Sequence, residues 1–176
     1  MTESLQLAKT SNLHTLGVCV PYDPAIITPP IAAALRAGCY EAEEAAQIPM
    51  IVAPGDVVLE IGAGIGFIST LVARQPGLAK VFAFEANPAL MPFMARLHAE
   101  NQVTGVERVN AVLCNAPETS MKFYQRRDFW MGSLAPGPEP YDAAIAVPVV
   151  NLNAFLAREA VSLIICDIEG AEKWLF

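Results

Sequence analysis

The run Val57-Val58-Leu59-Glu60-Ile61-Gly62-Ala63-Gly64-Ile65-Gly66-Phe67 joins a short β-branched segment to three closely spaced glycines. VVLEI, entered after the turn signal Pro54-Gly55-Asp56, suits a strand buried on both faces. The glycines allow a tight turn and a close approach of ligand to backbone, and Phe67, Ile68, Leu71 and Val72 then carry a helical stripe. A dinucleotide site wants a third glycine where Phe67 stands. The observed G-x-G-x-G spacing instead typifies turns that hold S-adenosylmethionine, which has no pyrophosphate to seat.

Working outward, a second apolar strand over residues 81 to 84 ends at Glu85, nineteen residues past Gly66. A carboxylate at that position can accept the ribose hydroxyls of an adenosine, with Ala86 beside it. Taken alone, the glycines read as a plain strand-to-helix turn and Glu85 as a solvated strand end; strand, glycines, helix, strand and acid in register favour an adenosine ligand. Glu60 has two readings, a clamp on the turn's backbone N–H groups or a partner for the methionine amino group.

Asn87-Pro88 opens a further helix, with Leu90, Phe93, Met94 and Leu97 on one stripe and His98 expected at its surface. Residues 106 to 113 read as a third strand, 121 to 150 as a β-excursion, and Asn151 as the cap of a short helix. VSLIICDI, residues 161 to 168, reads as a fourth buried strand. This alternation predicts an α/β fold, a doubly wound and mostly parallel sheet. Upstream, residues 31 to 47 predict one or two helices, whereas residues 1 to 30 are Pro-rich and weakly patterned. The expected division is an N-terminal arm with helices over 1–48 and a ligand-binding domain over 49–176.

Composition narrows the partners. Eleven Lys and Arg against eighteen Asp and Glu give a formal charge of −7, which argues against nucleic acid or an anionic membrane surface. With 54% hydrophobic and 16% charged residues the chain is unusually apolar, yet its apolar runs are too short to span a bilayer. Met1 to Leu16 lacks the pattern of a secretory signal. Cys19, Cys39, Cys114 and Cys166 form no C-x-x-C pair and are expected as buried free thiols in a reducing cytoplasm. The two histidines have no ligand spacing, and no metal site is expected.

In Cys166-Asp167-Ile168-Glu169-Gly170-Ala171-Glu172 the acids follow the fourth strand. Ligands of open parallel sheets bind beyond the carboxyl ends of strands. Asp167 and Glu169 are therefore candidates to orient or deprotonate a nucleophilic hydroxyl, against the plainer reading of acids at a helix N-terminus.

PGDVVLEIGAGIGFIST (54 to 70), FAFEANPAL (82 to 90), Trp130-x-x-Ser133-Leu134 and LIICDIEGAE (163 to 172) together resemble the FkbM family of S-adenosylmethionine-dependent methyltransferases. The resemblance implies a Rossmann-like class I methyltransferase fold, S-adenosylmethionine as cofactor, and O-methylation of a hydroxyl on a sugar or natural-product-like molecule. It implies that Gly62, Ala63, Gly64 and Gly66 line the cofactor, that Glu85 holds its ribose, that Asn115 sits near the adenine, and that Asp167 and Glu169 face the substrate. Tyr40 and Glu41 resemble a pair that closes over the cofactor. The family's fold runs on past D-x-E-G-A-E, so this sequence is expected to lack the carboxyl-terminal strands and to order the four it has as three, two, one, four. The fourth strand is then expected as an exposed edge through which copies pair into a homo-oligomer, unless the sequence is a fragment of a longer product. A non-catalytic S-adenosylmethionine-binding or assembly module is the competing expectation.

Overall fold

The computed structural model describes residues 12–168 and residue 175. Its chain opens with a hairpin of β1 (Leu13–Thr15) and β2 (Val18–Val20), then α1 (Pro29–Ala37) and α2 (Ala42–Ile51). The core alternation follows as β3 (Val57–Ile61), α3 (Phe67–Ala73), β4 (Lys80–Glu85), α4 (Met91–Glu100) and β5 (Val106–Asn110). Beyond it lie β6 (Val112–Cys114), β7 (Ser120–Gln125), β8 (Ala143–Asn151), α5 (Leu152–Arg158) and β9 (Leu163–Cys166).

β5, β4, β3 and β9 form one parallel sheet in that order. The expected order three, two, one, four is the order found. Strand side chains alternate between faces. Val58 and Val81 join the cluster that holds Ile65, Phe67 and Leu97, while Leu59, Ile61, Phe82 and Phe84 face α5 on the other side. Phe155 meets Phe82 and Phe84 edge-on at 5.0 and 5.1 Å. Ser162 Oγ donates to Asp56 Oδ1 at 2.7 Å and accepts from Val57 N–H, which fixes the starts of β3 and β9 together.

Three expectations need correction. Residues 13 to 20 are a hairpin rather than unpatterned arm: Leu16 and Gly17 turn it with positive φ, and the Asn101 side chain clasps Cys19 N–H and C=O at 2.9 and 2.7 Å. Val18, Val20, Ile31, Leu35 and Ile48 pack in the same cluster as Val58 and Phe67. The third strand is two strands, because Asn110 anchors the first to β4 by donating to Glu85 and Ala86 carbonyls. After Ala111 the chain leaves to pair with β8. Of the cysteines, Cys114 is buried, but Cys39 and Cys166 are exposed.

The β-excursion is present. β8 runs antiparallel to β7 up to Pro148 and parallel to β6 from Val149, so the proline, which has no N–H, sits where the strand changes partner. Asn151 caps α5 through Ala154 N–H as its sequence position suggests. β9 is the outer strand of the described sheet, with Ile164 44% exposed. No helix among the described residues is long and apolar enough to cross a membrane.

Candidate functional site

The glycine turn is fixed to its neighbour strand: Gly62 and Ala63 N–H both donate to the Phe84 carbonyl, at 3.0 and 2.9 Å. At Gly62, with φ +87°, a Cβ would lie 2.0 Å from the Asp167 carbonyl oxygen. Only a glycine lets the ends of β3 and β9 approach backbone to backbone. At Gly66, also left-handed, a Cβ would meet Met94 Cγ at 2.5 Å and His98 Nε2 at 2.8 Å, so the turn rests directly on α4.

Glu85 closes the turn from β4. One carboxylate oxygen accepts Gly64 N–H at 2.8 Å and the other Asn87 N–H at 2.6 Å. Burial pushes its pKa up to about 7 against the opposing pull of these N–H groups. Glu60, on the α3 face of β3, is buried and accepts from the side chain and backbone N–H of Ser69. It thereby caps the start of α3 across the turn. Its Oε2 has no hydrogen-bond partner, and burial holds the group well above the usual carboxylate range.

Beyond the carboxyl ends of β3, β4 and β9 opens a cavity of about 370 Å³. Gly62, Gly64, Glu85, Ala86 and Asp167 line it, with Tyr40 and Glu41 across the opening. Glu41 stands in a left-handed conformation before α2, hydrogen-bonds Tyr40, and has a pKa raised to about 7, first by burial and further by the Asp167 and Glu44 charges. Tyr40 meets Phe67 edge-on at 5.4 Å and stacks on Trp130 at 6.3 Å. Phe123, Phe129, Trp130 and Leu134 from the excursion complete an apolar side. Glu41, Glu44, Glu85 and Asp167 give the cavity an acidic rim, and no Lys, Arg or His is among its described lining residues.

Several expected residues stand elsewhere. Ala63 is buried against Ala83 and Met94, and Gly66 against α4, behind the cavity wall. Asn115 is exposed: its amide donates to the Leu175 carbonyl and its oxygen accepts Asn153 N–H, each at 3.0 Å, so it ties β6 to α5. Leu113 and Cys114 line the cavity just before it. Glu169 lies outside the described residues. His98 is 1% exposed rather than on the surface, bonded to Ser69 Oγ and Arg108. Its sequence gave one usable signal: it falls four residues after Met94, on the buried stripe.

The cavity can be tested against an adenosyl sulfonium. Its volume lies within the range of about 300–1,000 Å³ for small-molecule sites. A carboxylate has about four acceptor sites, so Glu85 can still take a ligand hydroxyl beside its backbone contacts. The acidic rim suits a cationic ligand; Glu60, whose Oε2 is buried without a partner, is not among the described residues that line the cavity. The residues fit.

A parallel sheet with this strand order, a glycine turn between β3 and α3, and a carboxylate at the end of β4 define a Rossmann-like class I methyltransferase. The methyltransferase FkbM domain matches residues 60–176. The chain belongs to that family of S-adenosylmethionine-dependent methyltransferases. No curated protein matches the chain. Among solved structures it is similar to Trm5b from Pyrococcus abyssi, with a TM-score of 0.44 and 20% identity over 60% of this chain and 32% of that one. It is similar to TYW2 from M. jannaschii in complex with AdoMet, with a TM-score of 0.46 and 22% identity over 56% of this chain and 41% of that one. A third is the precorrin-6y C5,15-methyltransferase from Geobacter metallireducens, with a TM-score of 0.37 and 25% identity over 44% of this chain and 40% of that one. The aligned part is about a third of the first protein's length and two fifths of the others'.

Proposed function

We propose that this chain transfers a methyl group from S-adenosylmethionine to a hydroxyl of a small, uncharged or cationic acceptor of the sugar or natural-product kind. The observation that carries the reading is one cavity lined by the glycine turn, Glu85 and Asp167, with apolar aromatic walls opposite. The bound donor supplies an activated methyl group. What the chain must add is orientation, exclusion of water and a proton acceptor.

Glu85 would hold the ribose, with Ala86, Leu113 and Cys114 around the base. Asp167 is the first candidate to take the hydroxyl proton, and Glu169 the second. Glu41, whose ionisation the Asp167 charge opposes, would share that proton at neutral pH. Four carboxylates, with no Lys, Arg or His among the described lining residues, repel phosphate and carboxylate acceptors, which favours neutral hydroxyl compounds. The exposed Cys39 thiol suits a reducing cytoplasm. Pairing of copies along β9 is part of the same proposal, and a monodisperse monomer by light scattering would exclude it.

The deciding experiment is a calorimetric titration with S-adenosylhomocysteine, followed by a turnover screen of neutral and phosphorylated hydroxyl compounds with S-adenosylmethionine. Binding with turnover of neutral acceptors is expected. Binding with no turnover would favour the non-catalytic module; preference for phosphorylated acceptors would overturn the acceptor class.

A further inference from the structure

Arg126 and Arg127 form the only adjacent basic pair in the sequence. Arg127 is exposed, but Arg126, just past the carboxyl end of β7, is half-buried and reaches into the segment 131–139. Its Nη1 donates to the Met131 carbonyl at 2.8 Å and to Ser133 Oγ at 3.1 Å. Its Nη2 donates to the Pro136 carbonyl at 2.6 Å and to the Glu139 carbonyl at 3.4 Å. Gly137, with φ +61°, lets the chain close round the guanidinium, for a Cβ there would lie 3.4 Å from Nη2. A guanidinium has five N–H donors. Four are spent on this segment and the fifth, on Nε, is buried, so none is left for an acceptor's phosphate or carboxylate.

The segment needs such a strut. Tyr124 and Ser133 exchange backbone hydrogen bonds at 2.8 and 3.2 Å, and Asp142 N–H returns to the Gln125 carbonyl at 2.8 Å, so both ends are pinned to β7. Between them residues 135–140 are exposed. Trp130, Gly132 and Ser133 border hollows on two sides: the cavity described above, and a recess of about 320 Å³ that Arg126, Met131 and Glu139 also line. A wall with space on either side has few apolar contacts to hold it. The charge-assisted bonds to one guanidinium take their place.

Two further bonds tie β7 to the donor end of the cavity. Gln125 Nε2 donates to Asn87 Oδ1 at 2.6 Å, and Asn87 N–H donates to Glu85 Oε1 at 2.6 Å. The strand that carries Arg126 is thus fastened to the carboxylate that fronts the cavity, and Arg126 extends the fastening to the opposite wall.

We propose that Arg126 is a positioning residue for the methyl acceptor: by gathering Met131, Ser133, Pro136 and Glu139 it sets the distance of the Trp130–Leu134 wall from the donor end of the cavity. This deepens the acceptor reading above and rests on it. Arg126 is not among the described residues that line the cavity; it acts through Trp130, Ser133 and Leu134, which are.

The test compares wild type, Arg126→Met, Arg126→Lys, Trp130→Ala and the Arg126→Met/Trp130→Ala double variant. It reads calorimetric affinity for S-adenosylhomocysteine, melting temperature, and kcat and KM with S-adenosylmethionine for the best acceptor in a panel of methyl hexosides and methyl 6-deoxyhexosides. Loss of hydrogen bonds to a charged group should raise the acceptor KM of Arg126→Met about tenfold and leave S-adenosylhomocysteine affinity within about twofold of wild type. Arg126→Lys, which keeps the charge but not the planar fork, should recover part of that loss. In the double variant the losses should not multiply, because both changes act on one wall. In a Trp174→Phe background, which leaves Trp130 as the only tryptophan, Arg126→Met should increase acrylamide quenching of the fluorescence. Unchanged acceptor KM or unchanged quenching in folded Arg126→Met, or losses that multiply in the double, would overturn the proposal. So would a lowered melting temperature with unchanged KM, which is the mark of a purely structural arginine. Turnover of hexose phosphates that Arg126→Met abolishes would overturn it too, by making Arg126 an anion ligand. If Arg126→Met does not fold, Arg126→Lys decides the matter by a raised or an unchanged acceptor KM. A wild type that binds S-adenosylhomocysteine but methylates no glycoside of the panel defeats the acceptor reading and this inference with it, whereas equal acceptor KM in wild type and the Arg126 variants defeats the inference alone.

Discussion

Glu85 accepts the Gly64 N–H at 2.8 Å across the turn that leaves β3, so one side chain both shapes the glycine loop and fronts the cavity. Glu85→Ala removes that acceptor and leaves Gly64 and Asn87 N–H groups to find water. Since hydrogen bonds to charged groups contribute about 1.5–3 kcal/mol, affinity for S-adenosylhomocysteine should fall roughly 10- to 100-fold by calorimetry. An affinity within threefold of wild type would remove Glu85 from the ribose site.

Glu41 and Glu85 both have folded-state pKa values raised from 4.5 to about 7, chiefly by burial. For a raised carboxylate the stabilising form is the protonated one. The contribution is whole below the ordinary value of the unfolded chain and is lost as pH rises through about 7. The melting temperature of the ligand-free protein should therefore decline between about pH 5 and about pH 8. S-adenosylmethionine, with its extra positive charge, should gain affinity relative to S-adenosylhomocysteine over the same interval. A melting temperature that rises with pH there would contradict the burial of these groups.

Gly62 separates two kinds of cost. Gly62→Ala meets strain from a φ of +87° and a Cβ 2.0 Å from the Asp167 carbonyl, whereas Gly105→Ala meets a φ of +78° with nothing within 4 Å. Strain alone costs about 1–2 kcal/mol, so Gly105→Ala should lower stability by that amount. Gly62→Ala should add roughly 1–3 kcal/mol for the overpacked contact and also weaken donor binding. Denaturant unfolding of both variants measures the difference; equal losses would mean that β9 yields freely.

Trp130 offers a handle on the acceptor side. It stacks on Tyr40 at 6.3 Å and lines the cavity from the turn over Phe129–Met131. Thr28 Oγ1, at the start of α1, donates to Asp128 Oδ1 and holds that turn against the N-terminal helices. Trp130→Ala should raise KM for a hydroxyl acceptor several-fold with little change in the affinity for S-adenosylhomocysteine. The opposite split would place Trp130 beside the donor.

The legible parts of this molecule were those written locally. VVLEI followed by glycines, and VSLIICDI after a capped helix, announce buried strands by composition, and their sheet order follows from the glycine turn's place in such folds. The hairpin at residues 13 to 20 escaped because three-residue strands carry too few side chains to show a period, and its clasp comes from Asn101, far along the chain. The family resemblance implies Asn115 beside the adenine, yet the β6 strand ends one residue earlier and turns it toward α5. His98 looked exposed because its partners, Ser69 and Arg108, belong to other elements. Long-range polar pairing leaves no periodic trace in a sequence.

Asp167 lines the cavity where β9 ends, and its charge is one cause of the raised Glu41 pKa. Asp167→Asn keeps the shape and removes the charge. If Asp167 takes the acceptor's proton, turnover should fall about 10²- to 10⁴-fold while affinity for S-adenosylhomocysteine stays within about threefold. Loss of that charge should also let Glu41 ionise at lower pH, so the acid limb of the residual kcat/KM profile should shift below its wild-type position. Unchanged turnover would clear Asp167 of the role. A large loss of turnover with an unmoved acid limb would keep Asp167 as the proton acceptor but remove Glu41 from the proton's path, because a Glu41 that shared the proton must respond to its neighbour's charge.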